Sequence, residues 1–238
     1  MCGRFFLSTS GAEIARHFGL VAAPDLVPRF NIAPGQDVPV VRALGRDDGR
    51  VLELRRWGLV PGGIEDPSRG PRPINARAET AASLPIFRDA LARRRGLVPA
   101  DGFYEWQHRG RSARPFAVRI RGGALFAMAA VWDRWERGGA AVPGAPAAID
   151  SVAILTTEAN ARIRTIHDRM PLILAPEDWA RWLDPEARVA PLLRPCPAEW
   201  IDLHPVATRV NDVREDDARL VEPERDLFGP TAVPPARE

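Results

Sequence analysis

The chain has 238 residues, 45% hydrophobic and 27% charged, which is ordinary globular usage and excludes a wholly disordered, collagen-like or membrane-embedded chain. Its 33 basic and 31 acidic residues leave a net charge of only +2, so contact with a polyanion must come from local patches rather than from a chain-wide field. The length fits one large domain or two small ones.

Apolar stretches such as Ala124 to Trp132 fall far short of the ~20 residues that span a bilayer, and the N-terminus carries no apolar secretion segment, so a cytoplasmic protein is expected. Every basic residue is Arg, a planar fork suited to phosphate or carboxylate, although genomic composition bias gives the same pattern. Cys2 and Cys196 are read as reduced thiols, because a disulfide framework uses more cysteines.

Ser10 with Glu13 three residues on forms a capping box, and Ile14, Ala15 and Phe18 at helical spacing with Gly19 as a stop predict a short helix after an N-terminal strand. Apolar runs Val38 to Leu44 and Val51 to Trp57 flank Gly45 to Gly49 and read as a hairpin. Gly62 to Pro73 reads as a surface loop. A helix is expected over Pro85 to Arg94, capped by Ser83, with Ile86, Phe87, Ala90 and Leu91 on one face. Four strands follow, at Gly96 to Pro99, Phe103 to Gln107, Phe116 to Ile120 and Ala124 to Trp132, and suggest a meandering antiparallel sheet.

Gly138 to Ala148 reads as a flexible surface insertion, Val152 to Leu155 as a strand, Thr156-Thr157-Glu158 as the opening of a helical turn, and Pro171 to Leu174 as another short strand. Pro176 to Leu183 is expected to be an amphipathic helix burying Trp179, Trp182 and Leu183, and the Pro- and charge-rich end is expected to fray. Many short strands with few helices predict an α+β fold on mostly antiparallel sheets: one domain over 1–222 and a disordered tail over 223–238. No phosphate loop, nucleophile elbow or metal-type Cys/His cluster is visible, so neither cofactor nor metal is expected.

Four clusters can carry chemistry. Removal of Met1 ahead of a small residue leaves Cys2 with an α-amine and a thiol on adjacent carbons. An α-amine of pKa about 7.7–8.0 is substantially unprotonated at neutral pH and attacks aldehydes, and the thiol can then close a five-membered thiazolidine. The alternative is a cysteine packed as a small hydrophobe. In Asn75-Ala-Arg77-Ala-Glu79, Asn75 can orient a substrate and Arg77 can clamp an anion; turn chemistry for Asn75 and a solvated Arg77–Glu79 pair are the alternatives.

Strand alternation places Glu105 opposite Tyr104 and Trp106 in apolar surroundings that suit a general acid or base, or else a buried salt bridge to an Arg. His167, beside Asp168 and Arg169, can shuttle protons with Asp168 or Glu105 setting its tautomer, or can be a satisfied structural histidine. The Trp residues, Trp106 among them, fit either core or base-stacking roles.

Taken together and in order, Cys2-Gly-Arg-Phe5, Phe30-Asn-Ile-Ala-Pro34, Trp57-Gly-Leu-Val-Pro61, Asn75 to Glu79, Pro99-Ala-Asp-Gly-Phe-Tyr-Glu-Trp106, Thr156-Thr157 and His167-Asp-Arg-Met-Pro171 resemble the SOS response-associated peptidase (SRAP) family of abasic-site processing proteins over about Cys2 to Asn211. The resemblance implies a protein that crosslinks to abasic sites in single-stranded DNA, at replication forks or single-strand/double-strand junctions, with Cys2 as nucleophile through an imine and then a thiazolidine. It implies that Asn75 positions the sugar or the Cys2 backbone, and that Glu105 and His167 move protons, His167 also supporting slow reversal. Arg4, Arg77 and Arg169 match phosphate-binding positions, and Trp106 matches an aromatic that packs on bases.

A lyase side reaction, a self-processing peptidase activity, a nucleoid location, no membrane and a monomer are the accompanying expectations. Relatives commonly carry a further Trp where this chain has Gly62-Gly63, and the sequence assigns no role to the acidic stretch Asn211 to Asp217. Competing readings are an N-terminal-nucleophile thiol amidohydrolase and a noncovalent single-stranded DNA-binding module.

Overall fold

The computed structural model describes residues 2–45, 49–110, 112–136 and 146–224. Strand β1 (Phe5–Leu7) leads into helix α1 (Gly11–Phe18), followed by β2 (Arg29–Ile32), β3 (Asp37–Ala43), β4 (Arg50–Trp57) and β5 (Asn75–Arg77). Helices α2 (Ala78–Ala81) and α3 (Pro85–Arg93) precede β6 (Arg95–Ala100), β7 (Gly102–Arg109), β8 (Ser112–Ile120), β9 (Phe126–Glu136) and β10 (Ala148–Glu158). The described elements end with β11 (Arg169–Pro171), β12 (Ile173–Leu174), α4 (Trp179–Leu183) and β13 (Ile201–Pro205), interspersed with short 3₁₀ segments. Among the described residues, no helix is long and apolar enough to cross a membrane.

Two sheets form this α+β fold. One runs β13-β8-β7-β1-β2, and the other runs β11-β10-β4-β3-β6-β9-β12. In the second, β9 also pairs with β10 over seven residues from Ala148↔Glu136 to Ile154↔Ala130, so the path from β10 through β4, β3 and β6 to β9 closes on itself. Closure satisfies strand edges that would otherwise stay unpaired. Pairing is antiparallel except where β10 lies parallel to β4 and β5. The main core fills the space between the layers, with Phe5, Trp57, Leu97, Phe103, Met128 and Trp182 among its fully or nearly fully buried side chains.

Several elements follow directly from local chemistry. The Ser10–Glu13 capping box is complete and Gly19 ends α1 in the left-handed region at φ 62°. Phe18 of α1 stacks on Trp179 of α4 with centroids 4.4 Å apart, which fixes α1 to α4. The β3–β4 hairpin pairs from Asp37↔Arg56 to Ala43↔Arg50; residues 46–48 of its turn lie outside the described residues.

Other expectations need correction. The four strands from 95 to 136 are not one meander: β7 and β8 form a hairpin in the first sheet, while β6 and β9 pair with each other in the second. Pairing partners, not strand propensity, decide this, and Asp101 is the only residue between the two sheets' strands β6 and β7. Thr156-Thr157-Glu158 does not open a helical turn but ends β10, held by Pro171, Met170 and Arg169 of β11. Ser83 does not cap α3. Leu84 is the N-cap residue, and the Ser83 hydroxyl donates instead to the Thr80 carbonyl.

Of the 138–148 insertion, residues 138–145 lie outside the described residues and Ala148 already belongs to β10. Of the expected tail, Pro223 bridges to Val206 and the Glu224 N–H donates to the Pro205 carbonyl at 2.8 Å, while residues 225–238 lie outside the described residues.

Candidate active site

The sequence Pro99 to Trp106 builds most of the site. Asp101, at the crossing between sheets, accepts the backbone N–H groups of Ser8 (2.6 Å) and Thr9 (2.9 Å) and both of their hydroxyls (2.8 and 2.5 Å). Gly102 lies beneath the Phe6 ring, where a Cβ would meet Phe6 Cζ at 2.2 Å. Phe5 pairs with Phe103, and the Tyr104 N–H donates to the Arg4 carbonyl at 2.9 Å. These bonds fix β1, and with it the backbone running back to Cys2.

Alternation along β7 then sorts the side chains as expected. Phe103 enters the main core on one face, while Tyr104 and Trp106 join a second apolar cluster on the other with Phe6, Ala117, Val206, Val210 and Leu220.

Cys2 is fully buried as a member of the main core. Its carbonyl accepts the Asn75 side-chain amide at 2.8 Å, and Asn75 Oδ1 is itself buried with no hydrogen-bond partner among the described residues. Asn75 is held there because β5 runs parallel beside β10, with Asn75 opposite Ile154. Burial first, and the nearby Glu105 carboxylate second, push the Cys2 thiol up to about 12, so the sulfur is protonated at neutral pH.

Glu105 is 3% exposed, and its carboxylate stands 3.8 Å from His167 Nε2. The Arg169 backbone N–H donates to His167 Nδ1 at 2.9 Å. Nδ1 also lies 3.2 Å from the Arg169 carbonyl, so it meets a backbone donor and a backbone acceptor, while Nε2 is the nitrogen facing Glu105. Asp168 approaches Nδ1 at 3.1 Å and is otherwise exposed. The His167 ring therefore spans from the buried Glu105 to the surface, a geometry suited to carrying protons in and out.

The structure thus gathers Cys2, Asn75, Glu105 and His167, which lie on β1's approach, β5, β7 and the segment before β11. Of the expected phosphate contacts, Arg4 donates to Asn31 Oδ1 (2.7 Å) and to the Val210 carbonyl (2.9 Å), with its guanidinium 5.9 Å from the centre of the Trp106 ring. Arg77 is exposed at the end of β5, opposite Thr156. Arg169 forms a two-pronged pair with Glu79 (2.8 and 2.9 Å) and donates to the Thr156 carbonyl (2.8 Å). Glu79 therefore pairs with Arg169, across 90 residues of sequence, rather than with Arg77.

Residues that sequence reading passed over complete the surroundings. Asn31 is fully buried, and its amide serves the carbonyls of Val210, Asp212 and Glu215. Asp216 accepts the N–H groups of Phe30 and Asn31 and pairs with Arg29. The acidic stretch is thus a latch onto β2. Its only signal in the sequence is the Phe30-Asn31 block and the density of acids themselves. Cys196 is buried, with its carbonyl accepting the Asn160 amide at 3.0 Å, as a packing thiol would be.

Residues 1–213 match the family described as SOS response associated peptidase (SRAP). The chain is 33% identical over 235 residues to the abasic site processing protein YoaM of Bacillus subtilis, covering 95% of this chain and all of that protein. It is 31% identical to the abasic site processing protein YedK of Escherichia coli, covering 94% and 100%. A crystal structure of a protein from Bacteroides thetaiotaomicron shares the fold with a TM-score of 0.81, at 23% identity over 94% of this chain and 100% of that one. By its matched residues and by these relatives, this chain belongs to the SRAP family.

Proposed function

We propose that this protein processes abasic sites in single-stranded DNA by joining to them covalently through Cys2. The supporting observation is the convergence on one residue: a buried neutral thiol whose carbonyl is tied to Asn75 and whose sulfur feels the carboxylate of Glu105, itself facing His167. The names carried by YoaM and YedK agree with the substrate.

With Met1 removed, the Cys2 amine attacks the aldehyde carbon of the ring-opened deoxyribose, and the resulting carbinolamine loses one water to give an imine. The thiol sulfur then adds to the imine carbon while its proton passes to nitrogen, closing the thiazolidine. The sum is aldehyde plus aminothiol giving thiazolidine plus water, with no oxidant or cofactor. A thiol held protonated does not compete with the amine for the first step and needs a base for the second. Glu105 fills that role, with His167 supplying protons for sugar opening and dehydration and supporting reversal.

Asn75 Oδ1, buried and unsatisfied, is an acceptor for the amine or a sugar hydroxyl. When closure fails, the same imine permits β-elimination, a lyase side path, and self-removal of Met1 is the peptidase step. Arg4, Arg77 and Arg169 meet phosphates, Arg169 in exchange for Glu79, and Trp106 packs on a base.

The test is intact mass before and after incubation with a single-stranded oligonucleotide bearing one abasic site, beside an undamaged control. The expected product is protein lacking Met1 plus oligonucleotide minus one water, resistant to hydride reduction, with the abasic strand only. Cys2→Ala should lose this adduct while keeping noncovalent binding. A hydride-resistant adduct that persists in Cys2→Ala overturns the assignment. Loss of Met1 without any adduct favours amide hydrolysis or noncovalent binding instead.

A further inference from the structure

We infer that Asn211 is a positioning residue for Trp106, and that the segment 206–217 is a latch that presents Trp106 and Arg4 together to the DNA strand; this rests on the abasic-site reading above. The Trp106 indole N–H donates to Asn211 Oδ1 at 2.8 Å, and Arg4 donates to the carbonyl of the preceding residue, Val210, at 2.9 Å. Two adjacent residues of one segment therefore hold the aromatic and the cation, which stand 5.9 Å apart, within cation–π reach.

The latch is itself anchored elsewhere. Val206 and Val210 are fully buried in one cluster with Phe6 and Tyr104, Asn31 shares its two amide protons among three latch carbonyls, and Asp216 accepts two β2 backbone N–H groups. Asn211, by contrast, is exposed, and its side chain makes no other hydrogen bond among the described residues. A bond at the surface adds little to folding, yet it fixes the rotation of a half-buried ring that has only two side-chain torsions. Orienting the ring before DNA arrives lowers the ordering cost of stacking a base on it.

The test combines a spectroscopic and a kinetic arm on the full chain. In nitrogen-15 spectra, the Trp106 indole signal is the one missing from Trp106→Phe. It should shift and exchange faster in Asn211→Ala, and hold its wild-type position in Asn211→Asp, which keeps an acceptor oxygen. Losing one neutral hydrogen bond corresponds to roughly a 5-fold rise in the abasic oligonucleotide concentration that gives half-maximal adduct rate, with the maximal rate unchanged.

In a Trp106→Phe background, which lacks the indole N–H, adding Asn211→Ala should change nothing further. An unmoved indole signal in Asn211→Ala, or additive effects in the double variant, overturns the proposal. Should the wild-type protein form no adduct, the covalent reading fails on its own. The latch is then judged by the indole signal and by binding of an undamaged single strand, and equal binding by Asn211→Ala and wild type overturns it.

Discussion

Replacing Asp101 tests the idea that one carboxylate fixes the approach to Cys2. Its two oxygens receive two backbone N–H groups and two hydroxyls from Ser8 and Thr9. In Asp101→Ala the hydroxyls can rotate toward water, but the part-buried N–H groups lose a charged acceptor. Hydrogen bonds to charged groups are worth about 1.5–3 kcal/mol each, and the partial exposure of Ser8 and Thr9 argues for the low end, giving about 3 kcal/mol in all. In a chain of this length that corresponds to a fall in Tm of about 6–12 °C.

Asp101→Asn separates acceptor geometry from charge. Three of the four bonds reach one oxygen, which an amide oxygen can replace, and the amide NH₂ can donate to the Thr9 hydroxyl where the other oxygen stood. Only the charge assistance is lost, so its Tm should fall by about a third to a half as much. Thermal melts followed by circular dichroism read both values. A Tm for Asp101→Ala within about 2 °C of wild type, or equal falls in the two variants, refutes the reasoning.

Three further outcomes follow from the same geometry. With the Cys2 thiol pushed up to about 12 by burial and by Glu105, native protein should take up iodoacetamide far more slowly than urea-unfolded protein, and Glu105→Gln should speed the native reaction; equal native and unfolded rates refute the buried neutral thiol. The Arg169 pair holds the Glu79 carboxyl below its ordinary range. Its stabilisation is therefore present above the unfolded carboxylate pKa and lost as pH falls through the lower folded value. The Tm gap between wild type and Glu79→Gln should be full near pH 7 and shrink below about pH 4, and a constant gap contradicts the linkage.

Gly102→Ala should lower stability by about 1–3 kcal/mol, because the new methyl meets Phe6 Cζ at 2.2 Å and the Val118 carbonyl at 2.6 Å; an unchanged urea midpoint removes the close-packing argument.

What was legible in the sequence was mostly local. Ser10, Glu13 and Gly19 specify a helix within one short stretch, and alternation from Phe103 to Trp106 assigns faces without any knowledge of neighbours. The division of strands between sheets was not legible, because β6 and β7 are separated only by Asp101 and their sheets are set by which distant strands accept their hydrogen bonds. Thr156-Thr157-Glu158 reads like a helix start in isolation, yet β11 on one side and β5 on the other claim its backbone.

The same limit applies to the site. Cys2, Asn75, Glu105 and His167 each admit a structural reading taken alone and are singled out by the ordered motifs that resemble the SRAP family, and the structure places them together. Asn31, Glu79 and Asn211 act through partners 184, 90 and 105 residues away, and no local pattern marks such pairs.

The parallel register of β10 has a consequence for how this architecture varies. Arg56 and Trp57 at the end of β4 pair with Ser151 and Val152, and β5 resumes two positions later along the same strand, at Ile154 to Thr156. Residues 58–74 depart and return between these points, and their neck is tied by Leu59 N–H to the Pro73 carbonyl (3.0 Å) and by the Trp57 indole to the Ile74 carbonyl (2.8 Å). Its first half is fastened to the sheet by the Val60 N–H on Ser151, the Gly62 N–H on Asp133 and the Trp135 indole on the Ile64 carbonyl, so freedom to change length lies in the residues after Ile64, whose feet stand on a common rail. The excursion can thus vary between its feet without displacing Asn75 from the Cys2 carbonyl.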